Sequence, residues 1–335
     1  MGNELISIIT PFRNSSKYLD ECLNSIINQS YKDWELIIVD DYSTDKSFKI
    51  VKDFALIDKR IKLYRNNKKG IIGALNLGYD LSVGKYITRM DSDDVMHVDK
   101  LKDLYHNLKK KGNGFLATSA VKYFSSTSLG KGYKNYQNWI NWLMINNNHF
   151  EHIYKECVIP SPNWMISRQG FDKIGAFNSN VYPEDYELVF RMYENKINII
   201  SSNKTLHYWR DYSNRTSRID INYADNQFLD LKIHFFMKLN YNKNKELFIW
   251  GAGEKGKNLA KRLLNLKINF KWVCNNPKKI GKEIYGIKLL DVKVLNKTIE
   301  FQSIITVANK DAQIIINNYF KNRNLIPMKD YFFFC

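Results

Sequence analysis

Three groups of carboxylates punctuate the first two-thirds of the sequence. Asp40-Asp41 follows the apolar run 34–39, and Asp91-Ser92-Asp93-Asp94 follows the run 85–90. Glu184-Asp185 comes just after Pro183 and before a helical pattern over 186–193. Carboxylates gathered in one place repel one another. A divalent cation removes that cost, and hard oxygen ligands select magnesium or manganese. Magnesium usually takes one or two protein carboxylates and lets substrate phosphates complete its shell. Asp91-Ser92-Asp93 at a strand exit suits that arrangement. Taken alone, an Asp-x-Asp is also ordinary turn chemistry, and Asp94 fits equally well as the cap of a following helix. Glu187 and Arg191, four apart, fit an ion pair on one helix face.

The elements that must position these groups alternate. Residues 5–10 form an apolar run ended by Pro11, and 17–28 carry Leu19, Cys22, Leu23, Ile26 and Ile27 at helical spacing. A second strand spans 34–39. Ser43 or Thr44 is placed to cap the next helix, which reaches about Leu56. Residues 61–64 and 85–90 read as strands, with a helix over 70–81 between them, in which Asn76 and Gly78 serve packing. This alternation predicts βαβ units and a mainly parallel sheet. Ligands bind such sheets at the carboxyl ends of the strands, where the acidic clusters sit. From about 113 to 220 the pattern is less regular and richer in aromatics. A helix is expected over 223–241, then a polar linker, Asn242-Lys243-Asn244-Lys245, and a new strand at 247–250. The expected domains are therefore 1–242 and 243–335.

Order, spacing and strand context together resemble the family 2 glycosyltransferases of GT-A fold, over about residues 4–220. The segments that carry the resemblance are Ile8-Ile9-Thr10-Pro11-Phe12-Arg13-Asn14, Leu36 through Asp45, Gly84 through Asp94, and Pro183-Glu184-Asp185-Tyr186-Glu187-Leu188. The resemblance implies an α/β fold, a GT-A domain followed by a smaller Rossmann-like one. It implies an inverting transfer of sugar from a nucleotide-diphosphate donor to a hydroxyl on a saccharide or lipid-linked acceptor, in bacterial surface polysaccharide or lipid-linked glycan synthesis. Pro11, Asn14, Asp40 and Asp41 would hold base and ribose. Asp91 would touch ribose or metal, Asp93 would bind the metal, and Asp185 would be the general base, with Glu184 in support. The family often closes this domain with an Arg-x-His-x-x-Ser-x-Ser-like segment whose His helps bind the metal. Here the segment runs from Arg210 to Ser217, and Tyr212 takes the His place. Asp211 could then contribute, His207 reads as a lone structural His, and Arg210, Arg215 and Arg218 fit either a diphosphate or a solvated basic face.

A second glycine pattern lies in the C-terminal part. Gly251, Gly253 and Gly256 form a GxGxxG between strand and helix, a geometry that can cradle a pyrophosphate. The next strand ends Trp272-Val273-Cys274-Asn275-Asn276, without the acidic residue that a dinucleotide's ribose requires, so NAD is not expected there. The pattern resembles Rossmann-like tails of some bacterial glycosyltransferases, whose ligand is unknown.

Composition bounds the alternatives. Hydrophobic residues at 44% and charged residues at 25% describe a soluble globular protein. The net charge of +17 suits a phosphorylated substrate, an anionic membrane surface or nucleic acid, or no partner at all. No zinc-finger spacing or RNA-binding signature accompanies it, so nucleic acid is not expected. Cys22, Cys157, Cys274 and Cys335 form no CxxC pair, which suits a reducing compartment. With no signal-peptide core and no apolar run long enough to span a bilayer, the expected place is the cytoplasm or the inner face of the plasma membrane. A nucleotidyltransferase would show a Gly-rich phosphate loop after the first strand, and Thr10 to Asn14 lacks one. A nucleotide-sugar-binding protein with a dead site would not need both Asp93 and Asp185.

Overall fold

Apolar strands and amphipathic helices fold, in a computed structural model that describes residues 4–126, 128–213, 215 and 227–335, into two compact units. The first comprises Met1–His149 with Cys157–Asn222, the second Phe150–Glu156 with Tyr223–Cys335. This division falls earlier than the polar linker near 243, and the helix before that linker belongs to the second unit.

The first unit opens with β1 (Ile6–Phe12), α1 (Leu19–Ile27), β2 (Trp34–Asp40), α2 (Ser47–Ile57), β3 (Ile61–Arg65), α3 (Ile71–Asp80) and β4 (Tyr86–Arg89). There follow β5 (Val95–Met96), α4 (Lys100–Leu108), β6 (Phe115–Phe124), α5 (Lys131–Asn146), β7 (Trp164–Ser167), α6 (Arg168–Lys173), α7 (Glu184–Glu194) and β8 (Asn198–Arg210). They form one sheet in the order β3-β2-β1-β4-β7-β6-β8-β5. β3, β2, β1 and β4 pair in parallel, as do β6 and β8, while β7 runs antiparallel to both β4 and β6. The region expected to be irregular thus completes the sheet, and the long β6 and β8 carry the chain back beside the metal-type turn.

The pleat explains why β1 and β2 read as largely apolar runs, since both faces are covered. Ile6, Ile8, Leu36 and Ile38 point to one side, where Leu19, Cys22, Leu23 and Ile26 of α1, Val51 of α2 and Leu101 and Leu104 of α4 bury them. Ile37 and Val39 point to the other side and pack on Ala74 of α3. Gly78 lets α3 approach closely, because a Cβ there would lie 2.8 Å from Cγ2 of Ile9.

Two local expectations change. β1 continues through Pro11 to Phe12, because its pairing with β4 ends at Ile9 and the missing N–H costs no ladder bond on that side. Ser43 and Thr44 do not cap α2, which begins at Ser47; their hydroxyls instead bond Asn14.

The second unit contains α8 (Gln227–Leu239), β9 (Glu246–Trp250), α9 (Glu254–Asn265), β10 (Lys271–Cys274), β11 (Glu283–Ile284), β12 (Ile287–Asp291), β13 (Phe301–Ile305), α10 (Lys310–Lys321) and β14 (Tyr331–Phe333). The first residues expected in its opening helix, 223–226, lie outside the described residues. Its sheet runs β11-β12-β10-β9-β13-β14, parallel except for the β11–β12 hairpin. Phe248, Val273, Phe301, Phe320 and Tyr331 form its core. Residues 150–156 join it through Tyr154, whose ring stacks on Phe334 at 5.0 Å and whose hydroxyl donates to Asn240 at 2.6 Å.

Candidate functional site

The carboxyl ends of β1 and β2 leave the sheet side by side, and their loops are stitched together. Asn14, in the left-handed region, accepts at Oδ1 from the backbone N–H of Thr44 at 2.8 Å, and its own N–H donates to Ser43 Oγ at 3.0 Å. Asp40 accepts from the Ser43 N–H at 3.0 Å. Asp41 accepts at Oδ1 from Asn66 Nδ2 and from the Gly70 N–H, both at 2.8 Å, and so pins the start of α3. Pro11, Asn14, Asp40 and Asp41, expected together at the base and ribose, therefore lie on adjoining strand exits, and Asn14 and the two aspartates shape those loops by hydrogen bonds.

The turn after β4 is the second component. Asp91 Oδ1 accepts from Arg89 Nε at 2.9 Å. Burial opposes its charge, but Arg89 and Arg215 outweigh burial and hold Asp91 below the usual carboxylate range. Asp93 Oδ2 accepts from the Tyr212 hydroxyl at 2.9 Å, and its carbonyl accepts from Arg210 Nε at 2.6 Å. Burial and the neighbouring Asp94 push Asp93 up to about 7. The segment that departs from the family pattern thus still reaches the turn, with Tyr212 at the position of the missing His. Arg210 and Arg215 do not lie on a solvated face. Arg210 also bonds Glu21 and stacks over Phe124 at 4.3 Å, and buried Arg215 lies over Trp209 at 5.0 Å. Asp211 is buried, its N–H donating to Phe124 at 2.8 Å. Arg218 lies outside the described residues.

Asp94 does not cap α4. It is fully buried, accepts from the Arg210 N–H at 2.8 Å and lies 3.0 Å from His207 Nε2. The other ring nitrogen of His207 is 3.0 Å from Lys100 Nζ, which also donates to the Pro162 carbonyl at 2.7 Å. With Lys100 as an ammonium, which offers only donors, His207 accepts at Nδ1 and donates from Nε2 to Asp94; burial works against both charges, pulling Lys100 down and pushing Asp94 up, each to about 7. Burial and Lys100 hold His207 well below its usual range, which keeps it neutral in this role. His207 is therefore part of a buried chain behind the metal-type turn rather than a lone histidine.

The third component is the first turn of α7. Glu184 Oε1 accepts from Arg89 Nη1 at 3.0 Å, and both residues are buried. Next to it, Asp185 is partly exposed and accepts from the Tyr186 N–H at 2.8 Å. Burial first, and then Glu184, push Asp185 up to about 7, against the pull of Arg89. A small cleft lined by Arg89, Ser161, Trp164, Phe177 and Asp185 opens here, and Ser161 Oγ is 3.5 Å from Asp91 Oδ2. Glu187 and Arg191 form the expected ion pair, at 2.9 Å, one turn further along.

Sequence reasoning missed Arg89 and Lys100. Arg89 carried a signal, since a charged side chain inside a strand buried on both faces requires a partner. Lys100 carried none, being one lysine among many. As for a metal, among the described residues no three His, Cys, Asp or Glu side chains converge as a closed cage. Asp91 and Asp93 suit the open kind of site that a hard cation shares with phosphate oxygens, because Asp93 is a carboxylate whose charge is poorly compensated.

In the second unit, Gly251 has φ +126°, and a Cβ on Gly256 would lie 2.0 Å from the Gly251 carbonyl, so the turn into α9 requires both glycines. Gly253 precedes α9 in open space. The Gly251 carbonyl accepts from Trp272 Nε1 at 2.8 Å, and Asn275, just past β10, accepts from Trp250 Nε1 at 2.8 Å.

Known proteins resemble parts of this chain. Glycosyltransferase GlyG of Streptococcus pneumoniae is 41% identical over 110 residues, 32% of this chain and 36% of GlyG. The putative teichuronic acid biosynthesis glycosyltransferase TuaG of Bacillus subtilis is 35% identical over 115 residues, 34% of this chain and 46% of TuaG. The aligned stretch thus spans less than half the length of either relative. Among solved structures, the mannosyltransferase PcManGT of Pyrobaculum calidifontis, in complex with GDP-Man and Mn2+, superposes with a TM-score of 0.56 at 15% identity, covering 71% of this chain and 66% of that one. That likeness shows the GT-A fold. The family model of glycosyl transferase family 2 matches residues 7–175, just over half of the chain, from β1 through the turn Asp91–Asp94 to the end of α6. With the strand exits, the acidic turn and the family match in agreement, the chain belongs to glycosyl transferase family 2.

Proposed function

We propose that the chain is an inverting glycosyltransferase that moves a sugar from a nucleotide-diphosphate donor to a hydroxyl of a saccharide or lipid-linked acceptor, in the synthesis of a cell-surface polysaccharide. The observation that carries this reading is the meeting of Asp91, which opens the Asp91–Asp94 turn, and Glu184, which directly precedes Asp185, on one buried guanidinium, that of Arg89. The name of TuaG points to polymer synthesis, and the complex of PcManGT to a nucleotide-sugar donor.

In this reading Pro11, Asn14, Asp40 and Asp41 border the base and ribose, and Asp91 and Asp93 face the diphosphate. Magnesium or manganese held by Asp91 and Asp93 would supply Lewis-acid neutralisation of the charge that grows on the departing nucleoside diphosphate. Tyr212 orients the Asp93 carboxylate by its hydrogen bond, and Asp94, locked by His207 and the Arg210 N–H, fixes the turn. Asp185 accepts the acceptor hydroxyl's proton as the oxygen bonds to the anomeric carbon. Its raised affinity for a proton suits a base that works near neutral pH. A single displacement of this kind inverts the configuration of the anomeric carbon. Trp164 and Phe177 wall the cleft and reduce water's access to it.

The test is a screen of UDP- and GDP-linked sugars, with and without manganese, scoring release of the nucleoside diphosphate. Metal-dependent release from one donor class is the expected result. Full release from every productive donor in excess EDTA would remove the metal from the mechanism, and no release from any donor would count against the whole reading. In the cell the reading sets the protein in the cytoplasm against the inner face of the plasma membrane. Among the described residues no helix is long and apolar enough to cross a membrane.

A further inference from the structure

Two acidic motifs that are far apart in sequence meet on one cation. Arg89 leaves the end of β4, is 5% exposed, and reaches Asp91 Oδ1 with Nε at 2.9 Å and Glu184 Oε1 with Nη1 at 3.0 Å. Asp91 begins the turn that would face the donor, and Glu184 directly precedes the proposed base. The guanidinium is a planar fork, so two contacts from different edges fix its orientation and the spacing of the groups it holds. A lysine at this position could not make both contacts in the same geometry.

We propose that Arg89 is a positioning residue that holds the first turn of α7 against the Asp91–Asp94 turn and keeps the Asp185 carboxylate ionised for catalysis. This rests on the reading of Asp185 as the base. Among the described residues, the charged groups that act most on Asp185 are Glu184 on its own helix, Arg89 at the end of β4 and Asp91 beyond it. Two of these are anionic and favour the proton; Arg89 is the one cation among them. The rest of the cleft around Asp185 includes the apolar side chains of Ile159, Trp164, Phe177 and Leu188, which add to the cost of its charge.

The experiment uses the full chain labelled with 13C at aspartate carboxyls, with the Asp185 signal identified by its absence in Asp185→Asn. Its midpoint is followed by pH titration in the wild type, Arg89→Met and Glu184→Gln, with thermal unfolding as the check on folding. Loss of the cation should raise the midpoint by about 1 or more on the pH scale, and loss of the neighbouring anion should lower it. A purely structural role for Arg89 would not move the two variants in opposite directions. A midpoint that neither substitution moves, or that both move the same way, would overturn the proposal. Should Arg89→Met fail to fold, Glu184→Gln still decides, because an unmoved or raised midpoint contradicts the charge balance described here. The titration needs no donor and no turnover. If Asp185→Asn is fully active, the base reading fails on its own, whatever the titration gives.

Discussion

Asp185→Asn keeps the side chain's size and part of its hydrogen bonding but cannot take a proton. Because Asp185 is pushed up to about 7, its base form should rise from about a tenth at pH 6 to about nine-tenths at pH 8. Wild-type turnover with saturating donor should therefore climb nearly tenfold across that interval, and the Asn variant should show no such limb. Loss of a general base lowers kcat by about 10²-fold or more. Donor affinity should stay within about twofold, because a base acts in the transition state more than in the ground state. The same perturbation has a stability side. A carboxyl whose folded value lies above its unfolded one, near 3.9, contributes stability below about pH 4 that is lost as the pH rises through about 7. The full shift corresponds to at most about 4 kcal/mol, and partial solvation of Asp185 reduces this to about 1–2 kcal/mol. Asp185→Asn should accordingly be the more stable protein at pH 8 and no more stable at pH 4. The assays are nucleoside-diphosphate release across pH, calorimetric binding of UDP or GDP with manganese, and urea unfolding at the two pH values. Near-normal turnover in Asp185→Asn would refute the reasoning and make Glu184 the first alternative. Loss of nucleotide binding with the fold intact would move Asp185 into the donor site.

Asp93→Ala should abolish transfer and also weaken manganese-dependent binding of the nucleoside diphosphate, since that carboxylate would meet the donor in the ground state; unchanged calorimetric affinity would remove Asp93 from the diphosphate site. Lys100→Met leaves the Pro162 carbonyl and His207 Nδ1 without the donor they share, and should cost about 2–4 kcal/mol in urea unfolding even though a buried charge is also removed. An unchanged unfolding midpoint would mean that the chain behind Asp94 is not holding the turn. The net charge of +17 should give salt-sensitive co-sedimentation with phosphatidylglycerol vesicles, each basic residue near the surface contributing about 1 kcal/mol; failure to sediment at low salt would count against a membrane contact.

What the sequence made legible, and what it hid, follows from how far apart the interacting residues lie. β1 and β2 are buried on both faces, so they read as largely apolar runs, and the acidic residues that follow β2 and β4 mark those strand exits without any knowledge of the neighbours. Asp40, Asp91 and Asp93 were visible for that reason. Local rules fail where a residue's partner arrives late. Asp94 looked like a helix cap because a short acidic side chain before an amphipathic stretch usually is one. Its partners lie on β8, 113 residues away in the case of His207, and that strand reaches it only because β5 pairs with β8. Ser43 and Thr44 failed as caps by the same logic, since Asn14 from another strand exit claims their hydroxyls. Lys100 is the extreme case: nothing in its surroundings along the chain distinguishes it from a solvated lysine, and only the meeting of α4, His207 and Pro162 buries it. Net charge hides this as well. A value of +17 invites a reading in terms of outside partners, yet Arg89, Lys100 and Arg215 are buried and act on Asp91 and Asp94 from within. The acidic turn is therefore held together by internal cations before any metal or donor arrives. Asp93 and Asp94 both remain pushed up to about 7, but Asp94 is fully buried against His207 and the Arg210 N–H, which leaves the partly exposed Asp93 as the carboxylate that an incoming cation would relieve.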